Sequence, residues 1–271
     1  MPILGFGVFQ IADLEACEKC VLDAIQVGYR SIDTAVSYGN EMAVGNAIRS
    51  CDVAREELFI TTKVWIQTNG YENTMDSFKK SLQRLQLDYI DLYLIHQPMG
   101  DVYGTWRAMQ ELYKSGLIKA IGVCNFQPDR IVDLIQHHEI IPAVNQVETH
   151  PFHQQFELQQ FLQNEQIQME SWAPFAEGRN HLFQNEILAS IGHKYGKSIA
   201  QVVLRWLIQR KVVVIPKTIR KEKMKENFEV FDFELNETDM DLMKSLDLKT
   251  SSFFDHRDPA MVKWLGERKF I

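Results

Sequence analysis

The chain has 271 residues, of which 45% are hydrophobic, 24% charged and 11% aromatic, a balance that excludes a disordered or fibrous protein. Its 29 basic and 36 acidic residues leave a formal net charge of −7, which repels nucleic acid and anionic membranes; a small molecule is the expected partner. The opening Met1-Pro2-Ile3-Leu4-Gly5-Phe6 has no basic stretch ahead of an apolar run, and no later run is long enough to span a bilayer. With only four sparse cysteines (Cys17, Cys20, Cys51, Cys124), the sequence reads as a reduced, cytoplasmic protein, and we expect a monomer.

In chain order, Leu4–Val8 reads as a strand and Leu14–Val27 as a helix, with Cys17, Val21, Ala24 and Ile25 at helical spacing, Asp13 as cap and Gly28 as stop. The alternation repeats through strand Ser31–Asp33 and helix Met42–Ser50, strand Leu58–Lys63 and helix Tyr71–Leu85, and strand Ile90–His96 and helix Thr105–Ser115. Strand Ala120–Cys124 precedes helix Asp129–His138, and strand Val144–Glu148 precedes helix Phe156–Asn164. Strand Gln168–Trp172 leads to a long helical pattern over Glu186–Gln209, broken at Tyr195-Gly196, and strand Val212–Pro216 leads to helix Lys221–Phe228 and an added helix over Glu237–Leu246.

Eight strand–helix units with short loops imply parallel pairing through right-handed crossovers, and eight strands close a barrel. A doubly wound open sheet is the competitor, but its G-x-G-x-x-G signature fails at Gly5-x-Gly7, where the third glycine is missing. The expectation is an α/β protein, a parallel eight-stranded (β/α)8 TIM barrel, in one domain over residues 1–271 with no linker or composition shift. Cys17-x-x-Cys20 falls inside a helix with no second pair, so it reads as two core-facing residues.

The C-terminal ends of barrel strands are where chemistry is expected. Asp33, Lys63 and His96 end three successive strands, and Tyr38 follows in a Gly-containing loop. Each has a structural reading on its own: an ion pair, a loop aromatic, an interior histidine. Together they form a proton-donating set. A phenol is a poor acid at neutral pH, but a nearby ammonium stabilises its phenolate; Lys63 would supply that charge, Asp33 would hold the lysine protonated, and His96 would hydrogen-bond the substrate oxygen. Such a set protonates a carbonyl and needs a hydride-carrying cofactor.

The motifs Ile32-Asp33-Thr34-Ala35-x-x-Tyr38-Gly39-Asn40-Glu41, Thr62-Lys63-Val64-Trp65, Leu92-Tyr93-Leu94-Ile95-His96 and Ile215-Pro216-Lys217 make the chain resemble an aldo-keto reductase from Gly5 to Asp258. The resemblance implies NADPH-dependent reduction of aldehydes or ketones, with Tyr38 as acid and Asp33, Lys63 and His96 completing a catalytic tetrad. It implies further that Asn125 and Gln146 hold the nicotinamide carboxamide and that Trp172 stacks on the ring. Glu170-Ser171-Trp172-Ala173-Pro174 and Phe253-Phe254-Asp255-His256-Arg257-Asp258-Pro259 are similar to the group of bacterial 2,5-diketo-D-gluconate reductases and protozoan prostaglandin F synthases.

The same resemblance puts the adenosine end of the cofactor near Lys217 to Asn227, with Lys217, Thr218, Lys223, Glu226 and Asn227 as binding residues. Lys217, Arg220, Lys221, Lys223 and Lys225 concentrate positive charge there, at a helix N-terminus suited to a 2′-phosphate. Departures from the family pattern are Cys124 for serine, Thr218 for serine, Lys223 for a bidentate arginine, and Glu177 in the loop near the pyrophosphate. The N-terminal hairpin that relatives carry under the barrel is absent from this sequence, so an uncovered apolar floor is expected.

Phe9, Trp65 and Trp106 are the expected substrate-facing residues, with core packing as the alternative reading. The short Pro98–Tyr103 connection and the brief tail beyond Asp258 predict a shallow pocket open to small aldehydes, dicarbonyls or keto-sugars. His150-x-x-His153 lacks a metalloprotease context, and no metal is expected. Two rival functions remain: Schiff-base chemistry at Lys63, and an NADPH-binding sensor or regulatory subunit with little turnover.

Overall fold

The computed structural model describes residues 1–268. Eight strands pair in parallel in sequence order: β1 (Phe6–Gly7), β2 (Ser31–Asp33), β3 (Phe59–Val64), β4 (Ile90–Ile95), β5 (Ile118–Cys124), β6 (Val144–Glu148), β7 (Gln168–Trp172) and β8 (Val213–Val214). Gly5 N donates to Val214 O at 2.8 Å, Val214 N to Ile3 O at 3.0 Å and Gly7 N to Pro216 O at 3.2 Å, so the last strand meets the first and the sheet closes into the (β/α)8 barrel. Gly7 is required at this seam, because a Cβ there would sit 2.9 Å from the Ile215 carbonyl oxygen.

The helices wrapping the barrel are α1 (Leu14–Val27), α2 (Glu41–Ser50), α3 (Tyr71–Leu85), α4 (Val102–Lys114), α5 (Pro128–His137), α6 (Phe156–Asn164), α7 (Glu186–Tyr195), α8 (Ile199–Gln209) and α9 (Lys221–Phe228), followed by α10 (Glu237–Lys244) and α11 (Pro259–Glu267). Local chemistry sets their ends. Asp13 accepts from Ala16 N at 2.7 Å to start α1. The long helical pattern splits where left-handed Gly196 ends α7 and a reciprocal Ser198–Gln201 capping box starts α8.

Inward residues of successive strands fill the barrel, and the helices' apolar faces cover its outside. Cys17 and Cys20 are buried on the inner face of α1, where burial pushes the Cys17 thiol up to about 12 and keeps it inert. Phe59 and Ala120 are half-buried against Leu92, Leu94, Cys124 and Val144.

The tail departs from expectation. It forms a full helix, α11, capped by Asp258, whose side chain accepts from Ala260 N, with Pro259 in the first turn.

Candidate active site

Strand ends and one short turn assemble the site. Lys63 is fully buried on β3, and its ammonium donates to Asp33 Oδ1 at 2.5 Å, to the Thr34 carbonyl at 2.9 Å and to the Tyr38 hydroxyl at 3.4 Å. Tyr38 ends the single 3-10 turn Val36–Tyr38 that follows β2, which aims the phenol back over the barrel mouth. His96 follows β4; its Nδ1 lies 3.3 Å from Ser37 Oγ, and its ring meets those of Tyr38 and Trp65 edge-on, at 5.6 and 5.0 Å between centroids. If the Ser37 hydroxyl donates to Nδ1, the proton rests on Nε2.

Electrostatics decide which groups hold protons. Burial works against the Lys63 ammonium, but the Asp33 carboxylate overcomes it and holds the lysine charged. Burial pushes the Tyr38 phenol up to about 12 against the opposing pull of Lys63, so the phenol lies above its ordinary range and not below it as expected. Tyr38 therefore stays protonated, and the lysine offsets part of the desolvation of its anion. Burial, then the Lys63 charge, pushes His96 well below the usual imidazole range, so it is neutral at pH 7.

These groups open into one cavity of about 570 Å3 that also reaches Phe9, Trp65, Asn125, Gln146, Trp172 and Lys217. Asn125, in left-handed backbone with φ 64°, accepts from the Trp172 indole at 2.8 Å and donates to the His96 carbonyl at 3.3 Å. The amide nitrogen of Gln146 donates to Asp33 Oδ2 at 3.0 Å and to Glu170 Oε2 at 2.9 Å. A buried lysine–carboxylate pair touching a phenol, beside a neutral imidazole, is built to move one proton to an oxygen in the cavity.

A family model described as the Aldo/keto reductase family matches residues 4–248. The chain belongs to that family. It is 51% identical over 247 residues to the glyoxal reductase of Bacillus subtilis, covering 91% of this chain and 89% of that protein. It is 43% identical over 250 residues to the methylglyoxal reductase DkgA of Escherichia coli, covering 91% and 90%. An aldo-keto reductase of Bombyx mori solved in complex with NADP superposes with a TM-score of 0.88 at 32% identity, covering 94% of this chain and 92% of that one.

Other aldo-keto reductase positions fall outside the cavity lining. Lys223, on α9, is paired with Glu226 at 2.5 Å; Asn227 is buried on the same helix, and Thr218 Oγ1 accepts from Arg220 N at 3.2 Å ahead of it. No side chain caps the first turn of α9, though its Lys223 amide donates to the Arg220 carbonyl at 3.0 Å. Cys124 is buried at the cavity base, where burial pushes its thiol well above the ordinary range. Glu177 lines the cavity and accepts from Gln10 Nε2 at 3.2 Å, which ties the loops after β7 and β1 together.

Two expectations are corrected. Trp106 does not face substrate: its ring is fully buried on α4 and its indole donates to the Ile140 carbonyl at 3.1 Å, in the layer between helices and strands. Nor is the pocket shallow, because Phe253, Phe254 and His256, with Trp264, Leu265 and Arg268 at and beyond α11, line the same cavity. The signal for this wall was present in Asp258-Pro259 followed by Met261, Val262, Trp264 and Leu265, a capped apolar helix pattern. His150 is structural: its Nε2 is 2.8 Å from Glu148, whose carboxylate also holds Ser251 Oγ at 2.5 Å and Ser252 N at 2.8 Å, anchoring the wall. Among the described residues no group of three or more His, Cys, Asp or Glu side chains is placed to hold a metal.

Proposed function

We propose that this chain reduces small aldehydes, dicarbonyls or keto-sugars to alcohols with NADPH, using Tyr38 as the proton donor. The observation that carries this reading is the buried Asp33–Lys63–Tyr38 chain opening beside neutral His96 into one cavity. The cofactor fits the donor set. With its amide nitrogen committed to two carboxyls, Gln146 has its carbonyl left for a carboxamide N–H; Trp172 is fixed by Asn125; and Lys217 and the start of α9 offer positive charge to phosphates. NADPH supplies the hydride when bound.

The protein's part is the proton. The Nε2–H of His96 and the Tyr38 hydroxyl both donate to the substrate oxygen and polarise the carbonyl. As hydride reaches carbon, Tyr38 gives its proton to oxygen, and Lys63, held by Asp33, stabilises the phenolate left behind. Phe9, Trp65, Trp172 and Phe254 surround the reacting atoms with apolar surface and exclude water. The four unpaired cysteines support a reducing compartment such as the cytoplasm.

The test is NADPH consumption with methylglyoxal, a nitrobenzaldehyde and a diketo-sugar, comparing the parent with Tyr38→Phe. Turnover that falls about 100-fold or more in the variant, with cofactor binding intact, is expected. A variant as fast as the parent would remove Tyr38 from the reaction. Cofactor binding without turnover on any carbonyl would favour the sensor reading.

A further inference from the structure

The chemistry above uses one carboxyl of the barrel interior, yet two are there. Glu170 on β7 is 1% exposed and lies beside Gln146, its register partner on β6. Gln146 Nε2 bridges the two, 3.0 Å from Asp33 Oδ2 and 2.9 Å from Glu170 Oε2, while Glu170 Oε1 is buried with no hydrogen-bond partner. One buried ammonium, on Lys63, is already paired with Asp33 at 2.5 Å. A second carboxylate in this interior would carry an uncompensated charge.

We propose that Glu170 is a positioning residue of the reductase: through Gln146 its neutral carboxyl steadies the amide that faces the cofactor, and its ionisation slows carbonyl reduction by offsetting the Lys63 charge that serves Tyr38. This rests on reading Tyr38 and Lys63 as the proton-donating pair.

Both halves follow from the contacts. Asp33 Oδ2, ionised beside Lys63, can only accept, which forbids the flipped amide and leaves the Gln146 carbonyl for the cavity, while Glu170 Oε2 takes the second hydrogen of Nε2. The charged and titratable groups around Glu170 are Asp33 on β2, Lys63 on β3 and Cys124 on β5; Tyr38 meets this set at Lys63, Asp33 and Cys124 and His96 meets it at Lys63, while Gln146 on β6 and Val213 on β8 bring no charge. Burial, followed by the Asp33 charge, pushes Glu170 up to about 8. Burial takes Tyr38 to about 12, raises Cys124 well above its ordinary value and drops His96 well below its own, while Asp33 keeps Lys63 charged. None of these four changes charge between about pH 7 and 9, so Glu170 is left to set the alkaline limb. The sign is fixed by the reaction: proton donation makes Tyr38 a phenolate, and a Glu170 carboxylate that offsets part of the Lys63 charge weakens the stabilisation of that anion.

The experiment is the single-turnover rate of NADPH oxidation by a nitrobenzaldehyde at pH 7, 8 and 9, for the full chain and for Glu170→Gln, which keeps shape and a hydrogen-bond acceptor but cannot ionise. The parent is expected to slow about tenfold from pH 7 to 9 with a midpoint near 8; the variant, whatever its rate at pH 7, is expected to change less than about twofold to pH 9. An alkaline fall of the same midpoint in Glu170→Gln overturns the proposal. If that variant does not fold, the infrared difference spectrum of the parent across the same range reads the carboxyl directly. Loss of a protonated C=O band with the midpoint of the rate supports the assignment, and no such band overturns it. A Tyr38→Phe chain as fast as the parent would instead sink the proton-donor reading and this proposal with it, a failure separable from an unchanged pH limb.

Discussion

The two sides of the cavity are built differently. On one side Asp33, Lys63 and His96 stand at the ends of hydrogen-bonded strands, with Lys63 fully buried and locked by three acceptors. On the other side are the segment after β7, where Ala173, Ala176, Glu177, Asn180 and His181 all take positive φ, and the tail from Phe253 through α11. That side is tied together by side chains reaching between loops: Glu148 to Ser251 and Ser252, and Arg179 to the Ser252 carbonyl at 2.7 Å and over the Phe253 ring at 4.3 Å. Groups that move a proton must be held to within a fraction of an ångström and sit on the sheet, whereas groups that select the substrate can sit on loops and a tail helix.

Removing the lysine should break the first side most severely. Lys63→Met leaves the buried Asp33 carboxylate with only the Gln146 amide, which should cost about 3–5 kcal/mol in stability. Turnover should fall by about 100-fold to 10,000-fold, since the phenolate loses its counter-charge. The double variant Lys63→Met/Asp33→Leu separates the two effects. Replacing the whole pair with apolar side chains should recover much of the melting temperature while turnover stays lost. Recovery of both would mean that the pair serves only the fold.

The wall should respond by selectivity alone. Trp264 lines the cavity from α11 and is 47% exposed, so little of the core depends on it. Trp264→Ala should raise KM for an aromatic aldehyde about tenfold, leave KM for methylglyoxal within about twofold and keep kcat for both. Equal losses on the two substrates, or a fall in kcat, would show that the two sides are mechanically one.

The strand side was legible in the sequence because a charged or polar residue that ends an apolar strand run has little structural reason to be there, and three in a row mark a site. Helix bounds at Leu14–Val27, Tyr71–Leu85, Phe156–Asn164 and Lys221–Phe228 were equally legible, since apolar spacing and, for the first, the Asp13 cap act locally. The helix α11 had its local signal at Asp258-Pro259, but its place in the wall did not, because the wall's contacts join residues as far apart as Glu148 and Ser252, and spacing along the chain carries no sign of them. Glu170 was read as part of a motif around Trp172, and its pairing with Asp33 through Gln146 depends on barrel closure, which brings β2, β6 and β7 together around one axis.

Trp106 is where aromatic identity misled and helical period would have corrected it. Val102 and Met109, four residues before and three after, share its buried side of α4, and that face packs against the outside of the strands, away from the mouth. Trp106→Phe keeps an aromatic ring but a smaller one, and removes the N–H that satisfies the Ile140 carbonyl. The expected result is a stability loss of about 1–2 kcal/mol, read by denaturant unfolding, with kcat and KM for small aldehydes within about twofold of the parent. A change in KM at unchanged stability would return Trp106 to the substrate side; otherwise the core-facing assignment stands on its indole hydrogen bond.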